Sequence, residues 1–347
     1  MKPKLRFSNF INDYEIKDVS DITSNISSGK ISKQLEDGEY NVYGSMGIIG
    51  KSNFYDYAGE KVLVARVGAN AGSVNKINEK CCISDNTLVL EPKDILNDYL
   101  YYALSHYNPK KLIFGSGQPL VTGGQLKKIK LGIPSKEEQL KVSNFLSLLD
   151  KKIELQSKKI EDLKLFKKGL SNKIFSTLDV VKEEKLGNIC NITTGKLDAN
   201  AMVENGQYRF YTCAKDYYYI DKYAFDTEAL LISGNGAYVG YIHYYKGKFN
   251  AYQRTYVLDK FTENIQYIKV YLDEFLSKRI NSEKKEGNTP YIVLSTLSDM
   301  MIKLTNVTDE NKVINTFNNI NNKIDKEELK LNKLIELKKG LMQYMFV

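Results

Sequence analysis

The chain has 347 residues, of which 42% are hydrophobic and 27% charged. These are globular values, and the length exceeds what one hydrophobic core usually holds, so two domains are expected and a disordered chain is excluded. Fifty Lys and Arg against 42 Asp and Glu leave a net charge of +8, a modest basic excess compatible with a phosphate-rich partner.

No run of about 18 apolar residues occurs, which excludes a membrane-spanning helix. The start, Met1-Lys2-Pro3-Lys4-Leu5-Arg6, leads into no apolar stretch, so no signal peptide is expected. Cys81, Cys82, Cys190 and Cys213 form no C-x-x-C pair, and two of them are adjacent. That pattern suits neither a disulfide framework nor a zinc site, so incidental thiols and a cytoplasmic location are expected. The two histidines, His106 and His243, are too few for a His-rich metal centre and argue against a catalytic triad. Tyrosine is abundant at 25; its flat apolar face and polar tip suit interfaces, and it also fills strands.

In chain order, Lys61–Ala65 is a short apolar run ending near Gly68 and Gly72, and it reads as a buried strand bounded by a glycine turn. Asn86–Leu90 reads as another strand, and Tyr99–Leu104 as a short helix packed on the sheet. From Lys136 to Phe175 there is no proline and one glycine, and this stretch predicts a long helix. Pro134 marks its boundary. Ser135 stands three residues before Glu138, the capping-box spacing. Ala229–Ile232 and Thr255–Leu258 are again strands, with Gly234 and Gly236 after the first, and Tyr267–Leu276 is again a helix. Thr308, Asp309 and Glu310 open a second long helix, with acid in its first turn.

The second half of this order restates the first. Gly38-Glu39-Tyr40-Asn41-Val42-Tyr43 matches Gly206-Gln207-Tyr208-Arg209-Phe210-Tyr211 at an offset of 168 residues. The same offset pairs Gly68-Ala69 with Gly236-Ala237, Gly72 with Gly240, Thr87 with Thr255, and Val89-Leu90 with Val257-Leu258. After a three-residue slip, Pro119 meets Pro290, Leu126 meets Leu297, and Lys167-Lys168-Gly169-Leu170 meets Lys338-Lys339-Gly340-Leu341. The chain is a tandem duplication of two mixed α+β units, too few for a solenoid, and a pseudo-twofold molecule is expected.

Each unit closes on its long helix. In the first, Leu146, Leu149, Ile153, Gln156, Ile160, Leu163, Lys167, Leu170 and Ile174 step alternately by three and four, the seam pattern of a coiled coil. At an offset of 171 the seam recurs as Phe317, Ile320, Ile324, Glu327, Leu331, Leu334, Lys338, Leu341 and Met345. Its polar breaks recur with it, at Gln156/Glu327 and Lys167/Lys338. Two helices of roughly 60 Å pairing with each other are expected; a helix packed on its own domain is the alternative. The lysines at 158–159 and 167–168 are expected on the solvated side.

With these features in view, the chain resembles the specificity subunit of type I restriction-modification enzymes. The resemblance rests on Gly132-Ile133-Pro134-Ser135-Lys136-Glu137-Glu138-Gln139 leading into a helix that ends near Lys167-Lys168-Gly169-Leu170, on the second helix ending at Lys338-Lys339-Gly340-Leu341, and on the pairs Gly68/Gly72 and Gly236/Gly240. The second helix start departs from the pattern, with Leu304-Thr305-Asn306-Val307 in place of the proline segment. The resemblance implies target-recognition domains at residues 1–134 and 178–304, and conserved helices at 135–177 and 305–347 that pair as an antiparallel coiled coil. It further implies a chain that reads a bipartite, asymmetric site on double-stranded DNA and performs no covalent chemistry. Two modification subunits would carry S-adenosylmethionine, and restriction (motor) subunits would use ATP and Mg; no cofactor and no metal are expected on this chain.

The residues themselves carry few signs of catalytic chemistry. The one Asn-Pro, Asn108-Pro109, precedes Lys110 rather than a second proline, no G-x-x-x-x-G-K-[ST] occurs, and the glycines at 234, 236 and 240 lack dinucleotide-loop spacing. The rival readings are a stand-alone nuclease or methyltransferase, and a coiled-coil scaffold or adaptor without sequence-specific DNA binding. For DNA contact, Arg and Lys suit guanine and Asn and Gln suit adenine. The candidates in glycine-bounded loops are Lys51, Asn53, Arg66, Asn70 and Gln118 in the first half, and Arg209, Lys215, Tyr217, Asn235, Tyr238 and Arg254 in the second. For each, the alternative is a solvated charge or a phosphate contact. Lys215–Tyr219 either lines a DNA groove or forms an ordinary strand edge.

Overall fold

The computed structural model describes residues 1–31, 33–44, 47–113, 119–283 and 291–347. It divides into two compact units, the first holding residues 1–158 and 328–347 and the second 159–327.

In the first unit the strands are β1 (Glu15–Asp18), β2 (Thr23–Ser28), β3 (Tyr40–Gly44), β4 (Gly47–Ser52), β5 (Glu60–Ala65), β6 (Val74–Asn78), β7 (Cys81–Ile83), β8 (Thr87–Pro92) and β9 (Lys130–Ile133), with helices α1 (Asn97–Tyr107) and α2 (Gly123–Lys127) before β9 and α3 (Lys136–Thr177) after it. They form a four-stranded sheet in the order β2-β8-β5-β6, a three-stranded sheet β4-β3-β7 and the pair β1-β9. β5 is buried from Val62 to Ala65, which is why it reads as a continuous apolar run rather than an alternating one. Its core gathers Val62, Val64, Leu88 and Leu90 from the sheet, Tyr99, Leu100 and Leu104 from α1, and Val142 and Leu146 from α3.

The second unit contains β10 (Lys182–Lys185), α4 (Leu186–Ile189), β11 (Asn191–Thr194), β12 (Tyr208–Tyr211), β13 (Tyr218–Ile220), β14 (Phe225–Ser233), β15 (Ile242–Ala251), β16 (Thr255–Asp259), α5 (Ile265–Glu283), α6 (Leu294–Ser298), β17 (Met301–Leu304) and α7 (Val307–Met345), whose last part belongs to the first unit. Here one six-stranded sheet, β11-β16-β14-β15-β12-β13, stands where the first unit has two. The difference has a local cause. β15 is continuous, whereas its counterpart is cut at Glu79-Lys80 into β6 and β7. The parallel pairing survives the cut: Asn41 faces Cys81 as Arg209 faces Phe249, at the repeat offset on both strands. α5, at 19 residues, is longer than the short helix expected there.

The duplication extends to individual hydrogen bonds. The buried Tyr99 hydroxyl donates to the Gly132 carbonyl at 2.8 Å, and Tyr267 donates to Lys303 at 2.6 Å. Burial pushes both phenols up, which keeps them protonated as donors. Burial likewise pushes the Cys81 and Cys190 thiols up to about 12, away from the reactive thiolate.

Each long helix is held inside the unit it enters. At the start of α3, the Ser135 hydroxyl accepts from the Glu138 amide at 3.3 Å. The reciprocal half of the capping box is absent, because the buried Glu138 carboxylate instead accepts two bonds from Arg6, at 2.8 and 2.7 Å, and one from the Tyr14 hydroxyl at 3.0 Å. A charge this deeply buried is stable only when paired and hydrogen-bonded. At the start of α7 the cap is Asn306, whose Oδ1 accepts from the Asp309 amide at 3.0 Å.

All fourteen apolar seam residues are buried or half-buried: Leu146, Leu149, Ile153, Ile160, Leu163, Leu170, Ile174, Phe317, Ile320, Ile324, Leu331, Leu334, Leu341 and Met345. In the first unit Leu146 and Leu149 share a core with Leu341, Met345 and Phe346. In the second, Ile320, Ile324 and Val313 share a core with Leu163 and Ile174, and the Phe175 and Phe317 rings lie 5.9 Å apart. The charged seam positions are ion-paired: Lys338 with Asp150 and, at 2.8 Å, Glu327, which is buried, with Lys159. Lys167 is not on the solvated side, since it pairs with Glu274 at 2.7 Å.

Gly72 and Gly68 both adopt left-handed backbone, each at φ +81°. A Cβ on Gly72 would lie 2.5 Å from the Lys110 backbone nitrogen, whereas one on Gly68 would meet nothing within 4 Å. Gly68→Ala is therefore expected to cost about 1 kcal/mol, from the backbone conformation alone. Gly72→Ala adds a clash with backbone and is expected to cost roughly 3 kcal/mol. Urea unfolding midpoints of the two variants check the ordering; equal costs would contradict it.

Candidate nucleic-acid interface

At one end of the main sheet of each unit, the chain leaves the central strand and returns through a turn with a repeated backbone. After β5, the Arg66 amide donates to the Asn86 carbonyl at 2.9 Å, and the Arg66 carbonyl accepts from Val121 at 2.8 Å. After β14, Gly234 donates to Arg254 at 2.9 Å and accepts from Ile292 at 2.8 Å. Gly72 donates to Ala65 as Gly240 donates to Ser233, both at 2.8 Å. The four turn glycines, Gly68, Gly72, Gly236 and Gly240, have φ between +80° and +82°, which L-residues with a Cβ rarely adopt. The frame is thus the same in both units while most side chains on it differ.

The structure brings some of the candidates together on this frame. Arg66 and Asn70 stand on the first turn, with exposed Asn86 across from Arg66. Asn235 and Tyr238 stand on the second, with exposed Arg254 across from Gly234. Lys51 lies elsewhere, on β4, with Asn53 exposed just beyond it. Arg209, Tyr217 and Lys215 gather around β12 and β13, at the edge of the six-stranded sheet. Tyr218 and Tyr219 lie on the edge strand β13, residues 215–217 lead into it, and Tyr217, Tyr218 and Tyr219 are exposed. Gln118 lies outside the described residues.

Lys51 and Arg209 are both engaged within the fold. Lys51 donates to Asn41 Oδ1 at 2.8 Å, Asn41 Nδ2 donates to Glu79 at 3.2 Å, and the Tyr43 hydroxyl also donates to Glu79. Burial, and then the Glu79 bond, push the Tyr43 phenol up to about 12. Asn41 and Tyr43 correspond to Arg209 and Tyr211 in the repeat. There the Arg209 guanidinium lies 4.2 Å from the Tyr217 ring centre and 4.5 Å from that of Tyr245, and donates to the Tyr211 hydroxyl at 3.3 Å. The Tyr211 bond holds the guanidinium pKa above its ordinary value. One place in the fold is thus filled by an amide–carboxylate network in the first unit and by a cation–aromatic stack in the second. The partners Glu79 and Tyr245 were absent from the sequence candidates; the repeat offset leads to position 41 from Arg209, but no spacing rule leads to either partner.

His243 does not titrate as an open surface residue. Packed between the Tyr211 and Tyr241 rings, with Nε2 3.0 Å from the Ala214 carbonyl, it has its pKa lowered by burial. Among the described residues no cluster of three or more His, Cys, Asp or Glu is placed to hold a metal ion, and no helix is long and apolar enough to cross a membrane.

This arrangement, a duplicated frame with divergent exposed polar groups, matches a known family over most of the chain. The model of the type I restriction modification DNA specificity domain matches twice, at residues 11–165 and 179–337. The chain belongs to this family. Among specificity subunits, that of the type I restriction enzyme EcoDI of Escherichia coli is 32% identical over 162 residues, covering 47% of this chain and 36% of the relative. S.MgeORF438P of Mycoplasma genitalium, named as a type I specificity subunit, is 24% identical over 328 residues, covering 87% of this chain and 85% of the relative. The chain spans only about a third of the length of the E. coli specificity subunit it matches. The fold is that of the crystallised S subunit of a type I restriction-modification system from M. genitalium, with a TM-score of 0.72 at 19% identity, covering all of this chain and 99% of the other. A specificity-family chain duplicated in this way accounts for both the shared backbone and the divergent side chains.

Arg209 and Arg254 differ in what the fold asks of them, and their stabilities should differ accordingly. Arg209→Ala removes a cation from between two rings and is expected to destabilise the second unit by about 1–2 kcal/mol. Arg254→Ala removes an exposed side chain and is expected to stay within about 0.5 kcal/mol. Thermal unfolding followed by circular dichroism compares them; equal losses would contradict the assignment.

Proposed function

We propose that this chain is the DNA sequence-specificity subunit of a type I restriction-modification complex. It reads a bipartite, asymmetric site on double-stranded DNA, one block per recognition domain, and performs no covalent chemistry itself. Two modification subunits carrying S-adenosylmethionine methylate adenine at the chosen site, and restriction subunits supply the ATP- and Mg-dependent motor and nuclease. The complex works in the cytoplasm.

The observation that carries this reading is the repeated frame with unlike side chains. Two copies of one reader give two half-sites, and different residues on equivalent positions give different bases. The net charge of +8 suits a polyanionic partner. The helices α3 and α7 pair antiparallel as a coiled coil, a reading supported by the ion pairs Asp150–Lys338 and Lys159–Glu327, in which residue number rises along one helix as it falls along the other.

The test is a map of methylated adenines in cells carrying this gene and its modification partner, against cells lacking the gene. The expected result is a motif of two short unequal blocks with a fixed gap, present only with the gene. An assembled complex with no such motif would overturn the reading in favour of a scaffold. S-adenosylmethionine binding or DNA cleavage by the purified chain alone would overturn it in favour of an enzyme.

A further inference from the structure

The chain contains 45 lysines but only five arginines: Arg6, Arg66, Arg209, Arg254 and Arg279. Three are used within the fold. Arg6 grips the buried Glu138, Arg209 is stacked between Tyr217 and Tyr245, and Arg279 pairs with Glu283 at 2.7 Å, one helical turn away. The two that remain, Arg66 and Arg254, have no side-chain partner among the described residues.

These two stand on one bonded pair of positions in the repeat. Position 66 corresponds to Gly234, and position 86 to Arg254. In each unit these two positions are joined by a backbone hydrogen bond, Arg66 to Asn86 and Gly234 to Arg254, both at 2.9 Å. Each unit therefore puts one uncommitted arginine on the same bonded pair, but on opposite arms of it. Where the arginine sits on the second arm, the first arm is a glycine whose Cβ would lie 2.4 Å from the Arg254 carbonyl oxygen. The second unit thus has no side chain on the arm that carries the arginine in the first.

Chemistry separates arginine from lysine here. A guanidinium presents a rigid fork that bonds both guanine acceptors, O6 and N7, at once, whereas lysine is a mobile point charge suited to phosphate. In a chain that otherwise draws its positive charge almost wholly from lysine, an arginine with no internal role on the same bonded pair of both units marks a site needing the fork. We infer that Arg66 and Arg254 are specificity-determining residues, each reading a guanine in the block recognised by its own unit, from opposite arms of one bonded pair. The inference rests on the proposed DNA-specificity function and goes further by naming the readers and their base.

The experiment maps methylated adenines for the full complex containing wild-type chain, R66A, R66K, R254A or R254K. The expected result is that both Arg66 variants relax one G·C position in one block and leave the other block intact, while both Arg254 variants do the reverse. Lysine fails to rescue because it keeps the charge but loses the fork. Where a variant methylates too little to map, the purified complex is competed with duplexes altered at that one base pair. Wild type should discriminate by roughly 5- to 150-fold, the span of a bidentate contact, and the variant by little. An unchanged motif overturns the inference, as does uniform weakening at every position with rescue by lysine, the mark of a phosphate contact. A wild-type block containing only A·T pairs also overturns it. Absence of any bipartite motif with the wild-type chain would instead defeat the underlying functional reading.

Discussion

The structure depends on one backbone hydrogen bond made twice, between residues 66 and 86 and between 234 and 254. It closes the end of the central sheet, and the paired left-handed glycines at 68 and 72, and at 236 and 240, turn the chain back across it. Backbone bonds and glycine turns constrain conformation without constraining most side chains. A frame held in this way can be duplicated and then diverge in what it presents, and the two units have diverged on it: Arg66 against Gly234, Asn70 against Tyr238, Asn86 against Arg254. Retained geometry with altered surface chemistry is the physical requirement for reading two different half-sites with one architecture.

The same logic is visible deeper in the units. Tyr99 and Tyr267 keep an identical task, tying a helix to the strand before the long helix. By contrast, the place around positions 41 and 209 has kept its parallel strand pairing and lost its chemistry, from Lys51–Asn41–Glu79 to Arg209 between two tyrosines. A cut strand at Glu79-Lys80 in one unit and a continuous β15 in the other accompany that change. Core and frame are thus shared by the two units, while the chemistry around positions 41 and 209 is not.

Much of the architecture was legible in the residues because it repeats. A constant offset exposed the duplication, and the three-four stepping exposed the long helices and their apolar face. The capping details were less legible. Ser135 and Glu138 have capping-box spacing, but Glu138 turned out to serve Arg6 and Tyr14, residues more than 120 positions away whose approach no local pattern signals. The second helix start showed its first-turn acids, Asp309 and Glu310, but not its cap, Asn306, because a cap is set by which side chain reaches an amide, not by composition alone. Lys167 looked solvated on the helix pattern and is paired with Glu274 of α5, a tertiary contact. The candidate interface was legible residue by residue only as a list of polar loop residues. That Arg66 and Arg254 stand on equivalent bonded pairs, one in each unit, and that Lys51 and Arg209 are already engaged, needed the hydrogen bonds themselves.

The central claim is that each unit independently chooses one block of a bipartite site. It is tested most directly by replacing residues 1–134 with the corresponding recognition segment of another specificity subunit and mapping methylated adenines. The account predicts a motif in which one block changes and the other, with the gap between them, stays as in the wild type. Simultaneous change of both blocks, or of neither, in a complex shown to assemble would contradict it.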